Sequence, residues 1–214
     1  MMFSLLFDTK KICLFCQDNK EDLEGYICQL CREKIDHDHK SLKTQSPYLE
    51  SSYYSIYYNR FIKSIIHDFK FNDKSYLYRP FGDLLLETIN RHTIDNDIDV
   101  IYYVPLHRRK KARRGYNQSQ LLASYLSKNL SIPLSNNLKK FKSTKDQHRL
   151  NKIQRQTNLL DSFTTKNDQE VKGKNILLID DLITTGATLD ECARLLKAKE
   201  ANKVIGLCLA SANQ

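Results

Sequence analysis

The sequence predicts an α/β protein built on a parallel sheet, with a small cysteine-rich unit ahead of it. Three observations carry that prediction. From Asp99 onward, apolar runs of strand length alternate with stretches of helical spacing, the pattern of a parallel sheet with crossover helices. The thirteen residues Ile176 to Thr188, ILLIDDLITTGAT, read as a buried strand, a loop and a helix start. Cys13, Cys16, Cys28 and Cys31 form two CxxC pairs at the other end of the chain. A length of 214 residues allows one domain of ordinary size plus an appendage, divided here as residues 1–42 and 43–214.

The CxxC pairs are separated by eleven residues, a spacing suited to a tetrahedral Zn²⁺ held by four thiolates on two short knuckles. A disulfide framework is the competing account. The opening MMFSLLF lacks a positive flank before it and a small-residue cleavage site after it, and Cys192 and Cys208 read as lone buried thiols, so a reducing cytosol fits better. Four protein ligands leave no open position, so this metal holds the fold and does no chemistry. His37 and His39 lie near enough to substitute as ligands, but a complete cysteine set makes them redundant, and both read as surface histidines.

A polar stretch with Ser41, Thr44, Ser46 and Pro47 reads as a linker. Tyr53, Tyr54, Ile56, Tyr57 and Tyr58 then predict a strand ending at a turn near Asn59, its aromatics packing two faces in preference to forming a base-stacking platform. Phe61, Ile62, Ile65, Ile66 and Phe69 recur at helical spacing, and Leu84, Leu85 and Ile89 mark a second helix beginning near Pro80. Further on come a strand at 100–104, a helix at about 117–130, candidate strands near 138–141 and 160–164, a strand at 175–179, a helix at 187–199 and a strand at 203–209. No apolar run is long enough to span a bilayer, and the expected location is cytoplasmic.

A loop at the carboxyl end of a parallel strand, feeding a helix N-terminus, presents unpaired backbone N–H groups and the positive end of the helix dipole to a phosphate. Gly186 lets the backbone come close, and Thr184, Thr185 and Thr188 add hydroxyls beside Ala187. The loop lacks both the Lys-Ser/Thr ending of a nucleotide-triphosphate P-loop and the three spaced glycines of a dinucleotide fingerprint. Asp180 and Asp181 can accept hydrogen bonds from vicinal ribose hydroxyls and help hold Mg²⁺. The chemistry implied is a phosphorylated sugar.

Charge points to a second ligand. The chain carries 34 Lys and Arg against 25 Asp and Glu, a net of +9. Between Pro105 and Arg155 stand fourteen of those cations and one acid, Asp146, so that segment holds +13 and the remainder −4. Its densest part is Arg108, Arg109, Lys110, Lys111, Arg113 and Arg114; a second set is Lys139, Lys140, Lys142, Lys145, Arg149, Lys152 and Arg155. A pyrophosphate needs only a few of these, and the excess suggests nucleic acid held through its phosphates. Tyr116 and Phe141 can stack on unpaired bases, which favours single strands, or can belong to the core.

The stretch ILLIDDLITTGAT resembles the signature of the type I phosphoribosyltransferases, which bind 5-phosphoribosyl-1-pyrophosphate (PRPP). The resemblance places Asp180 and Asp181 on the ribose hydroxyls, the loop Thr184 to Thr188 on the 5-phosphate, and arginines after the first strand, such as Arg108 and Arg109, on pyrophosphate. Thr184 stands where purine-salvage members carry an Asp, and Ala187 where they carry a Lys, which weakens a purine-salvage reading. The order CxxC, CxxC, YNRFIKSIIHDFKF, VPLHRRKKARRGYNQSQLLA, QHRLNKIQRQTNLLDSF and ILLIDDLITTGAT is similar to the ComF family of bacterial competence proteins over nearly the whole chain. That resemblance implies a type I phosphoribosyltransferase-like sheet, a role in transformation, single-stranded DNA as partner, and a PRPP-like ligand bound with Mg²⁺. It also points to the helicase-like ATPase of the same operon, and it is compatible with a homodimer. Two alternatives stay open: an active transferase joining phosphoribose to an unidentified nitrogen acceptor, and a PRPP-sensing regulator without turnover.

Overall fold

The computed structural model describes residues 11–20, 23, 25–42, 46–142 and 159–212. In chain order the elements are α1 (Gln29–Arg32), β1 (His37–Leu42), β2 (Ser51–Tyr57), α2 (Arg60–Phe71), α3 (Tyr78–His92), β3 (Val100–Tyr103), α4 (Arg108–Arg114), α5 (Gln118–Leu130), β4 (Leu138–Lys140), β5 (Phe163–Thr165), β6 (Asn175–Ile183), α6 (Ala187–Ala198) and β7 (Lys203–Ser211). The main sheet has the order β1-β2-β7-β6-β3. Strands β2, β7, β6 and β3 run parallel, and β1 adds an antiparallel edge to β2.

The apolar run at the start of β6 shows why the sheet is covered on both sides. Leu177 and Ile179 enter the core beneath α2, α3 and α5, whereas Ile176 and Leu178 enter the core beneath α6, and all four are fully buried. Period-two alternation between two apolar faces is what a central parallel strand requires. Tyr102 and Tyr103 of β3 divide between the two cores in the same way, as do Leu207 and Cys208 of β7.

Helix α2 starts where Asn59 caps it, its side chain accepting from Ile62 N–H at 2.9 Å. It buries Ile62, Ile65, Ile66 and Phe69. Helix α3 carries Pro80 in its first turn, where a missing N–H costs nothing. It also carries Gly82 at mid-helix, because the Tyr125 ring of α5 lies there: a Cβ on Gly82 would sit 2.2 Å from Tyr125 Cδ1. Gly82→Ala is therefore expected to destabilise the protein by about 2 kcal/mol despite the better helix propensity of Ala. That corresponds to a fall of roughly 5 °C in a thermal melt followed by circular dichroism. An unchanged melting temperature would show that Tyr125 moves aside freely.

The region around the cysteines packs on the helical layer. Cys13, Leu23, Ile27, Cys28, Cys31 and Ile35 join the core formed by α2 and α3. The Phe15 ring lies 5.4 Å from Phe81 and 6.2 Å from Phe61.

Three expectations are corrected. Ser41 belongs to β1, paired with Tyr53, and not to a linker, because the antiparallel edge continues through it; Thr44 lies outside the described residues. The two candidate strands exist but lie outside the main sheet, as the antiparallel ribbon β4–β5. Residues 133–135 already occupy the outer edge of β3, with Ile101 N–H donating to Pro133 O at 2.8 Å and Ser135 N–H to Ile101 O at 2.9 Å. His39 is buried at 5% exposure, so it is not a surface histidine. Cys192 and Cys208 are fully buried, as read. Among the described residues, no helix is long and apolar enough to cross a membrane.

Candidate functional site

Strand β6 continues past its apolar run, so Asp180 and Asp181 stand on the strand itself near its carboxyl end. Asp180 Oδ1 accepts from Ser119 Oγ and from Asp181 N–H, each at 2.9 Å. Asp181 Oδ1 pairs with Lys70 Nζ, from the end of α2, at 2.9 Å, and both side chains are mostly buried. Burial, then the adjacent Asp181 charge, pushes the Asp180 carboxyl up to about 7, with Ser119 and Lys70 acting in the opposite sense. The pair is thus one ion-paired carboxylate beside one that titrates near neutrality, able to take hydroxyl hydrogen bonds or a divalent cation.

The chain then turns through Thr184 and Thr185 to Gly186, which caps α6 at φ 77°, a left-handed conformation that favours glycine. Leu182 to Leu189 and Asp180 enclose a cavity of about 20 Å³, room for about one water. The loop Thr184, Thr185, Gly186, Ala187 and Thr188 thus sits at the N-terminus of a twelve-residue helix, next to the carboxylates, as the sequence places it.

Beside it, beyond the carboxyl end of β3, opens a pocket of about 860 Å³. Tyr103, Pro105, Leu106 and Asn117 form part of its wall; Arg108, Arg109 and Lys111 come from α4; Lys139, Lys140 and Lys166 come from the ribbon and the turn after it. Six cations and no carboxylate line it among the described residues. Lys140 Nζ lies 5.0 Å from the Phe163 ring centroid. Burial, reinforced by the Lys110 charge, brings the Lys140 ammonium down to about 8, while Cys192 and Asp180 pull the other way. Asp180 acts on the Lys140 charge, although the two cavities share no lining residue.

The basic run RRKKARR is a helix without a buried residue. The His107 side chain accepts from Arg109 N–H at 3.3 Å at its start, and Gly115, at φ 78°, ends it. Arg113 is exposed on α4 but does not line the pocket. Arg114 turns toward the body of the protein, its guanidinium 4.7 Å from the Phe71 ring and its Nη1 3.2 Å from Gln118 Oε1. Tyr116 donates its hydroxyl to Phe69 O at 2.7 Å and packs against the core, whereas Phe141 is 54% exposed at the pocket. Lys145, Arg149, Lys152 and Arg155 lie outside the described residues.

Cys13, Cys16, Cys28 and Cys31 bring their sulfurs within 4.8 Å of one another. Cys16 Sγ and Cys28 Sγ are 3.9 Å apart. Thiolates at about 2.3 Å from a tetrahedral zinc stand ~3.8 Å apart, so the cluster fits a metal ion and is far too open for a disulfide. Cys28 N–H donates to Cys13 Sγ at 3.3 Å. Burial raises the Cys13 thiol, but the N–H groups of Cys16, Cys28 and Phe15 more than offset it and bring it down to about 7. Burial, together with the three neighbouring cysteines, raises the Cys31 thiol.

Three participants escape the sequence reading. Lys70 follows Phe69 at the end of an apolar helical pattern, where nothing marks it as the partner of a carboxylate 111 residues later. Ser119 is the second residue of α5, and its contact with Asp180 is likewise tertiary. Lys166 lies beyond the basic segment, delivered to the pocket by Asn137, whose Oδ1 accepts from Lys166 N–H at 2.9 Å.

A model of the phosphoribosyl transferase domain matches residues 112–214. Competence protein ComFC of Bacillus subtilis (strain 168) is 33% identical over 205 residues, covering 91% of this chain and 81% of that protein. Competence protein F of Haemophilus influenzae is 29% identical over 207 residues, covering 86% and 90%, and DNA utilization protein YhgH of Escherichia coli (strain K12) is 35% identical over 152 residues, covering 69% and 66%. Among solved structures, a purine phosphoribosyltransferase from Pyrococcus horikoshii Ot3 is similar at 22% identity and a TM-score of 0.38, covering 64% of this chain and 74% of that one. The allosteric regulatory enzyme of purine biosynthesis is similar at 19% identity and a TM-score of 0.41, but the chain spans only 24% of that protein. With a relative one-third identical across most of both chains, and the two CxxC pairs, the basic helix and the Asp-Asp loop falling in one order, this chain belongs to the ComF family of competence proteins.

Proposed function

We propose that this protein handles single-stranded DNA in the cytoplasm during DNA uptake and binds a PRPP-like phosphosugar at the adjoining loop. One observation carries the reading: a pocket of about 860 Å³ walled by six cations and, among the described residues, no acid, beyond the carboxyl end of β3, the strand paired with the strand of Asp180 and Asp181. One pyrophosphate does not require that volume or that charge, whereas a strand passing through it meets cations on both walls and an exposed ring, Phe141, on which a base can stack. The names of the relatives, two competence proteins and a DNA utilization protein, agree with this use. Asp180 and Asp181 would hold ribose hydroxyls and Mg²⁺, Thr184 to Thr188 would hold the 5-phosphate, and Cys13, Cys16, Cys28 and Cys31 would hold a structural Zn²⁺. The ATPase of the same operon is the partner proposed for delivery of the strand.

A transferase reading has one observation in its favour, the cations of α4 beside the aspartate pair, where departing pyrophosphate would be stabilised. Pyrophosphate release from PRPP across a panel of nitrogen acceptors tests it, and silence across the panel removes it.

The DNA reading is tested by fluorescence anisotropy of a labelled oligothymidylate over a salt series. Log affinity is expected to fall steeply with log salt, at about 0.7 per phosphate neutralised. The triple change Arg108→Ala, Arg109→Ala and Lys111→Ala should reduce that slope by about 2 and weaken binding on the order of 100-fold at low salt. Unchanged slope and affinity would place the polyanion site elsewhere.

A further inference from the structure

We propose a second metal site, formed by His37, His39 and Glu87, that takes a divalent transition-metal ion such as Zn²⁺ and is separate from the cysteine cluster. The three residues come from two elements. His37 and His39 stand on β1, Glu87 on α3, and their donor atoms all lie within 4.8 Å of one another. Glu87 Oε2 is 3.5 Å from His39 Nε2 and 3.9 Å from His37 Nδ1, while its other oxygen, Oε1, lies 3.8 Å from Arg32 Nη1. Ligands at about 2.1 Å from a tetrahedral ion stand ~3.4 Å apart, so this triangle needs only a small contraction to close on one.

The hydrogen bonds around His39 say which nitrogen faces the gap. Thr88 has a single hydroxyl proton and donates it to Leu84 O at 3.0 Å. With that proton on Leu84 O, the Thr88 oxygen accepts in the 2.8 Å contact with His39 Nδ1 and the 2.6 Å contact with Ser55 Oγ, the arrangement in which Nδ1 carries the imidazole proton. With the proton on Nδ1, the Nε2 lone pair points at Glu87. His39 is 5% exposed, and its Nε2 makes no hydrogen bond among the described residues. Two acceptors, a buried imidazole nitrogen and a carboxylate oxygen, thus face each other across 3.5 Å. Such an arrangement is costly unless a cation lies between them.

The surroundings are those of a ligand held in place. The Thr88 hydroxyl that receives Nδ1–H fixes the tautomer and ring orientation, as an outer-shell partner does for a metal-bound histidine. The register of β1 slips between His37 and Lys40, and the two imidazoles stack with centroids 5.7 Å apart on the side facing α3. His92 Nε2 lies 2.6 Å from His39 O and ties the bulged backbone to the same helix. Two imidazoles and one carboxylate suit a borderline divalent ion of the zinc, cobalt or nickel type and do not suit Ca²⁺ or Mg²⁺. Three protein ligands, with Glu87 and His37 partly exposed, leave a fourth position toward solvent for water or an anionic group.

The test uses the full chain, equilibrated with Zn²⁺, desalted, and analysed for metal per chain by mass spectrometry. Two equivalents are expected for the wild type and one for His37→Ala or Glu87→Gln; both changes lie at the rim and leave the buried His39 in place. With the cysteine cluster already filled by Zn²⁺, added Co²⁺ should give weak ligand-field absorption without a thiolate charge-transfer band, and Glu87→Gln should abolish it. One equivalent in the wild type, or two retained by the rim variants, overturns the proposal.

Discussion

Replacing Cys31 by Ser, or stripping the protein with a strong chelator, is expected to lower its melting temperature by more than about 10 °C and to disturb the main domain as well as the first forty residues. A structural zinc in such a cluster supplies on the order of 10 kcal/mol of apparent binding free energy at neutral pH. A metal held by this cluster would not act on a detached knuckle alone. Cys13, Cys28 and Cys31 are part of the core that includes α2 and α3, and Phe15, two residues after Cys13, packs between Phe61 and Phe81. Release of a bound metal would leave four thiols crowded together, with Cys31 raised by its neighbours, and would loosen the aromatic contact that anchors the unit. Circular dichroism melts with and without chelator measure the shift, and loss of the near-ultraviolet signal before the far-ultraviolet signal reports loosening of the aromatic packing. A melt insensitive to chelation and to Cys31→Ser would remove zinc from the folding energetics.

Asp180→Asn is expected to stabilise the protein while abolishing phosphosugar binding. The Asp180 carboxyl sits at about 7 in the fold, above its ordinary value, so the native state holds its proton more tightly than the unfolded chain does. Stability from this group is complete below about pH 4 and is lost as pH rises through 7, amounting to on the order of 4 kcal/mol once the group is ionised. Asn keeps an oxygen for Ser119 and carries no charge, so the variant should melt roughly 5–10 °C higher than wild type at pH 8, with the gap closing toward pH 4. Calorimetry with PRPP and Mg²⁺ should show no binding by the variant, while affinity for oligothymidylate changes little. Binding sites commonly give up stability in this way, which is what a ligand-binding role for Asp180 would entail. Equal melting temperatures at pH 8 would mean that Lys70 and Ser119 fully compensate the buried charge, and a parallel loss of DNA affinity would mean that the two ligands share one site.

Much of the fold can be read directly because its signals are local. The run ILLIDD cannot be a surface strand, the thirteen-residue loop motif carries its own geometry, and the CxxC pairs set their own separation. What escapes the sequence depends on contacts between distant residues. Nothing around Phe69 or Phe71 distinguishes Lys70 from any solvated lysine at a helix end, because its role exists only when α2 lies beside β6. The ribbon β4–β5 has ordinary strand composition, and its exclusion from the main sheet follows from residues 133–135 having reached the edge of β3 first. His39 reads as surface because His, Asp and Lys alternate around it, yet the slipped register of β1 turns its ring toward Thr88. The basic run is legible as charge but not as a helix with two destinations, Arg109 toward the pocket and Arg114 toward Phe71.

The two flanks of the sheet bear on self-association. On one side, residues 133–135 use up the backbone groups of Ile101; on the other, β1 is short, irregular in register and studded with Asp38 and Lys40. Neither described border of the main sheet offers an unbroken row of amides to a neighbour, which guards the protein against cross-β pairing between copies when it is concentrated.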